Sequence, residues 1–160
     1  MKDISNSWSE KYMSLAAHVS SWSKDPSSQV GAVAVNPKDN YVLSMGYNGF
    51  PRGIEDSEER LHDREQKYPL TVHAEKNCIY NATYNGVSLK GAFLYVYGRP
   101  ICDECSLGII QVGISKVIMP ISTLHSCTEA PDNIWSQKFN TSLRNFKECG
   151  SVDVELLEGF

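Results

Sequence analysis

The chain has 160 residues, of which 41% are hydrophobic, 21% charged and 10% aromatic, and its net charge is −4. That is enough apolar material for one compact domain, and the balance excludes a disordered, collagen-like or coiled-coil chain. The negative charge argues against a protein that mainly grips phosphate backbones, which needs a basic face, so nucleic acid is not the expected partner.

Met1-Lys2-Asp3-Ile4-Ser5-Asn6 has no apolar core and does not read as a secretion signal. With no such signal, five cysteines point to a reducing cytosol, where cysteine clusters serve metals or catalysis before disulfides. No stretch approaches the ~18 apolar residues needed to cross a bilayer. The expectation is a single cytoplasmic domain over residues 1–160, without membrane contact.

Trp8, Tyr12, Leu15, Ala16, Val19 and Trp22 fall at three- and four-residue steps, the mark of an amphipathic helix. Ser7 reads as its N-cap, with Glu10 at the capping-box position. Ser23-Lys24-Asp25-Pro26-Ser27-Ser28 breaks that helix. Val30–Val35 reads as a buried strand, Asn36–Asn40 as a turn and Tyr41–Tyr47 as the antiparallel partner. From Asn48 to Leu70 the chain is polar and charged, and an excursion of that length in a small domain carries function or short helices. A helix is predicted over Val72–Ala82, a strand over Ala92–Tyr97, a short helix over Cys105–Val112 and a strand over Ser115–Met119. A polar linker, a helix over Ile134–Glu148 and a strand over Val152–Leu156 complete the chain. Strands alternating with helices after one hairpin predict a three-layer α/β/α sandwich around a five-stranded mixed sheet.

The chemistry is concentrated in Val72-His73-Ala74-Glu75 and, further on, Cys102-Asp103-Glu104-Cys105. Two thiolates spaced C-x-x-C at a turn into a helix can share one ion, and an imidazole makes three protein ligands. Three ligands leave a tetrahedral position open, which separates a catalytic zinc from a closed structural one. Glu75, two residues from His73, is placed near the metal without serving as a ligand and can carry protons between water and substrate. An H-x-E segment joined in this order to a C-x-x-C segment with a proline nearby is the pattern of zinc-dependent hydrolytic deamination of an amino-heterocycle. The other readings of C-x-x-C are a redox pair and two core cysteines, and no thioredoxin-like βαβ context surrounds Cys102.

These segments resemble the cytidine/deoxycytidylate deaminase superfamily, closest to its dCMP deaminase branch. The likeness rests on Ser23-Lys24-Asp25-Pro26-Ser27-Ser28-Gln29-Val30-Gly31-Ala32, Gly46-Tyr47-Asn48-Gly49-Phe50-Pro51-Arg52-Gly53, His73-Ala74-Glu75-Lys76-Asn77 and Cys102-Asp103-Glu104-Cys105. It covers residues 8 to 119. The resemblance implies one Zn²⁺ per chain on His73, Cys102 and Cys105, with Glu75 as catalytic proton shuttle. It implies hydrolysis of dCMP to dUMP and ammonia, a step toward dTTP supply. It also implies a sugar contact from Asn48 and an acceptor for the cytosine amino group in the Ala74 carbonyl. Homo-oligomers are usual in the superfamily, and relatives tie the Gly46–Gly53 loop to control by dCTP and dTTP with Mg²⁺. One departure stands out: Ile101 separates Pro100 from Cys102, which predicts a differently shaped wall to the base pocket.

A nucleoside monophosphate also needs cations or donors for its phosphate. Substrate-side candidates are Ser23, Lys24, Ser27 and Arg52, and the cluster Arg60, His62, Arg64 and Lys67 would steer an anionic substrate or effector. Tyr47, Gly49, Arg60 and Arg64 are the residues for an effector or phosphate. Three other readings stay open at this point: a deaminase of dCTP or cytidine, a deaminase of a base within tRNA or single-stranded DNA, and a zinc- and nucleotide-binding module without activity.

Overall fold

The computed structural model describes residues 4–128 and 133–160. In chain order it runs α1 (Ile4–Ser20), β1 (Gly31–Asn36), β2 (Tyr41–Tyr47), α2 (Glu58–His62), α3 (Arg64–Leu70), α4 (Ala74–Tyr84), β3 (Phe93–Tyr97), α5 (Asp103–Gln111) and β4 (Lys116–Pro120). A 3-10 turn at Ile121–Leu124, α6 (His125–Thr128), α7 (Ile134–Cys149) and β5 (Asp153–Leu157) follow.

The five strands form one mixed sheet in the order β2-β1-β3-β4-β5. β1 is antiparallel to both β2 and β3, whereas β3, β4 and β5 run parallel. The antiparallel pair is the predicted hairpin, and the parallel half follows from helices serving as crossovers. On one face Ala32, Ala34, Leu94, Val96 and Val117 pack with Cys78, Ile79, Ile109 and Phe146 from α4, α5 and α7. On the other face Val33, Val35, Tyr95 and Ile118 pack with Tyr12, Met13, Ala16 and Val19 of α1. The sandwich therefore has the expected three layers, but one outer layer is chiefly a single helix.

Several local expectations are corrected. α1 begins by Ile4, so Ser7 lies inside it and does not cap it; no proline or glycine separates Ile4 from Ser7 to stop the helix. The same helix ends at Ser20, and Trp22 is exposed beyond it, edge-on to His18 and Tyr47. The charged excursion contains α2 and α3, each capped by its preceding residue: Ser57 accepts from Arg60 N, and Asp63 accepts from Glu65 N. The polar linker is helical where it is described, at Ile121–Leu124 and α6. α7 ends in left-handed Gly150, φ +66°, whose N–H reaches Phe146 O.

Candidate metal centre and substrate cavity

The site assembles at two helix N-termini. Gly49 and Val72 exchange backbone hydrogen bonds of 3.1 and 2.8 Å, which pins the chain just before α4. His73 is the residue in front of α4, in extended conformation, and its side chain does not cap the helix. Cys102 takes the same place before α5, where its Sγ accepts from Cys105 N at 3.4 Å. Helix N-termini favour thiolates, because their N–H groups and dipoles stabilise negative sulfur.

His73 Nδ1 lies 3.4 Å from Cys102 Sγ and 3.5 Å from Cys105 Sγ, and all three donor atoms fall within 4.8 Å of one another. Tetrahedral zinc with Zn–S and Zn–N bonds of ordinary length separates such nitrogen and sulfur atoms by about 3.5 Å. The donor set therefore fits zinc in both element and spacing. Among the described residues it is the one group of three or more His, Cys, Asp or Glu side chains close enough to hold a metal.

Electrostatics lead to the same ion. A hydrogen bond from the Cys105 thiol holds Cys102 well below the ordinary thiol range, with His73 helping. Cys105, facing an already anionic sulfur and buried, is pushed strongly up. The hydrogen bond to the Cys102 sulfur raises His73. Two buried sulfurs next to one imidazole thus share protons, and a divalent cation removes the conflict by taking both as thiolates.

Glu75, in the first turn of α4, is 3% exposed, and its Oε2 lies 3.7 Å from Cys105 Sγ. Burial pushes its carboxyl up to about 7. A carboxyl in that range can both accept and release a proton near neutrality.

His73 and Glu75 face a cavity of about 500 Å³, within the usual range for small-molecule sites. Asn48, Arg64, Lys67, His73, Ala74 and Glu75 line it, together with Ser27. The Asn48 amide bridges backbone: Oδ1 accepts from Val30 N and Nδ2 donates to Ser28 O, both at 2.8 Å. Ala74 itself is in the lining. Ala74 opens α4, so its carbonyl points down the helix, beside Cys78 N and against Gly46, and its N–H is the group without an intrahelical acceptor.

The other expected contacts lie elsewhere. Ser23 is buried and donates to Asn48 O at 2.8 Å. Lys24 pairs with Asp56 at 2.9 Å and, with Tyr47 and Gly49, lines a second hollow of about 140 Å³. Arg52 reaches Asn81 Oδ1 and lies over Tyr84, outside the cavity. Arg60 donates to Glu55 O, and His62 bonds Glu58 O on the surface.

Sequence reasoning missed Arg99, Trp135 and Lys138, which complete the wall. Arg99 was visible only as one cation in the segment before Cys102, and the other two sit on α7 without a motif. Ile101 is fully buried, and its carbonyl accepts from Ser142 Oγ at 2.8 Å, which ties the loop before Cys102 to α7 and leaves Pro100 to line the cavity.

The profile of the cytidine and deoxycytidylate deaminase zinc-binding region matches residues 6–121. The human deoxycytidylate deaminase is 40% identical over 131 residues, covering 77% of this chain and 70% of its own length. An Aliivibrio fischeri protein described as an uncharacterized deaminase in the luxG 3' region is 40% identical over 150 residues, covering 94% of this chain and 93% of its own. Among solved structures, dCMP deaminase from the cyanophage S-TIM5 in complex with dCMP and dUMP superposes with a TM-score of 0.68 at 24% identity, covering 92% of this chain and 95% of its own. That likeness speaks for the fold.

Proposed function

We propose that this chain, which belongs to the cytidine and deoxycytidylate deaminase family and is a zinc-dependent hydrolytic deaminase, acts on dCMP, converting it with water to dUMP and ammonia. The observation that carries the reading is the convergence of His73, Cys102 and Cys105, with Glu75 against Cys105, beside a cavity lined by His73 and Glu75 and also by Arg64, Arg99 and Lys138. The choice of dCMP is supported by 40% identity to deoxycytidylate deaminases and by those cations, which suit a phosphorylated substrate.

His73, Cys102 and Cys105 hold the zinc, which when bound supplies the Lewis acidity that brings the pKa of water toward neutrality. Glu75 does the proton work. Its carboxylate takes a proton from the water that adds to C4 and delivers one to N3 of the ring. It then carries the next proton to the 4-amino nitrogen, which leaves as ammonia while C4 keeps the oxygen. Burial keeps the carboxyl from being levelled by solvent between these transfers. In this reading the Ala74 N–H, which has no intrahelical acceptor at the start of α4, holds the ring carbonyl of the base.

Ammonia release measured side by side on dCMP, dCTP and deoxycytidine tests the substrate. Turnover should be fastest on dCMP, and deoxycytidine processed as well as dCMP would overturn the choice.

A further inference from the structure

We propose that Arg99 and Lys138, both held against the ring of Trp135, form the arm of the cavity that recognises the substrate's phosphate. The inference rests on the reading of the cavity as a nucleotide site and assigns that site residues from α7, beyond the stretch that the family profile matches.

The charges around the cavity lead to this arm. Lys67 is buried in the wall and already neutralised, its Nζ 3.1 Å from Asp25 Oδ1 and 3.2 Å from Ser27 Oγ. The same Asp25 oxygen accepts from Ser27 N and Ser28 N, so that carboxylate is fully engaged in shaping its own loop. Among the described residues, Arg64, Arg99 and Lys138 make no ion pair. Glu104, the carboxylate that feels Lys138, is held by Lys76 at 2.8 Å. Three cations thus face a cavity whose remaining acid is Glu75, in a chain of net charge −4.

Geometry singles out two of the three. The Arg99 guanidinium carbon lies 5.3 Å and Lys138 Nζ 5.7 Å from the centre of the Trp135 ring. That ring is itself 6.2 Å from the His73 imidazole. Cation–π attraction tethers each charge to that ring at the cavity wall without neutralising it. Arg99 is anchored further because its Nε and Nη2 donate to Ser28 Oγ, an uncharged acceptor, at 3.0 and 2.6 Å; Nη1 and the full positive charge are left for a ligand. Two fixed cations match the roughly −1.5 to −2 charge of a phosphate monoester. They stand one indole ring away from the imidazole of the metal site, as the far end of a nucleotide requires when its base reacts there.

The test uses the zinc-loaded protein with Arg99→Gln, Lys138→Gln and the double substitution, and titration calorimetry with dUMP and deoxyuridine. Wild type should bind dUMP more tightly than deoxyuridine. Each single change should weaken dUMP binding about 10- to 100-fold, as loss of a charged hydrogen-bond partner does, and leave deoxyuridine within twofold. Unchanged dUMP affinity in both single variants overturns the inference, as does parallel loss of deoxyuridine, which marks a structural role. Cation-dependent dUMP binding without ammonia release from dCMP overturns the substrate reading and leaves this inference standing. Turnover of dCMP with dUMP binding indifferent to both substitutions does the reverse.

Discussion

At Glu75 the chemistry narrows to one carboxyl. It is buried and 3.7 Å from the Cys105 sulfur, beside the donors that fit a metal, where the proposed proton transfer needs it. Glu75→Gln keeps size and hydrogen bonding but removes the basic oxygen, and kcat should fall about 10²- to 10⁴-fold or more. Zinc content, measured alongside, should stay at wild-type level because the substituted group is not a ligand. Turnover within tenfold of wild type would refute the shuttle role. His73, Glu75, Cys102 and Cys105 were legible in the sequence because metal chemistry demands particular residue types, and short spacings at helix starts bring them together. Lys24, Arg52 and Arg60 show the opposite case. A cation written near a site in the chain carries no direction, and these three are held by Asp56, Asn81 and Glu55 respectively.

Between elements, the position of α4 on the sheet decides where His73 and Glu75 stand. Three side chains stitch α4 to β2: Ser44 Oγ donates to Cys78 O, Asn77 Nδ2 to Tyr47 O and Asn81 Nδ2 to Met45 O, each at 2.7 Å. Gly46 permits this approach. A Cβ there would stand 2.3 Å from Cys78 N and 2.6 Å from Ala74 O, both backbone atoms that cannot step aside alone. Gly46→Ala should therefore destabilise the protein by about 1–3 kcal/mol or more and displace Glu75. Gly49→Ala, where a Cβ would meet nothing within 4 Å, should stay within ~0.5 kcal/mol in the same urea titration. Equal midpoints for the two variants would contradict the packing argument. This stitching was hidden in the sequence, where Gly46 reads simply as part of a Gly/Pro-punctuated turn. The predicted strands and helices themselves were legible, since hydrophobic periodicity is a local signal. The start of α1 and the helical turns in the linker were not, because no breaker marks the former and tertiary packing decides the latter.

For the molecule as a whole, a metal on His73, Cys102 and Cys105 joins the start of α4 to the start of α5, so its removal should cost stability as well as activity. With zinc at about 1,000 times its dissociation constant, binding contributes ~4 kcal/mol, and a chelator should lower the melting temperature by about 10 °C for a chain of this size. A Cys102→Ser, Cys105→Ser double variant should melt at one temperature with or without the chelator, and a chelator shift preserved in that variant would place the metal elsewhere. The three-layer arrangement and the five-stranded mixed sheet were readable from the alternation of elements, whereas the closure of the cavity by α7 was not, because Trp135 and Lys138 reach it from the far end of the chain. That late arrival has a consequence for how such an enzyme can diversify. The metal-site residues and the α7 half of the proposed phosphate arm, Trp135 and Lys138, occupy separate tracts of polypeptide, stitched by contacts such as Ser142 on Ile101 and Asn145 on Ser106. Drift in the distal tract can therefore retune which compound is admitted while the reacting centre stays untouched.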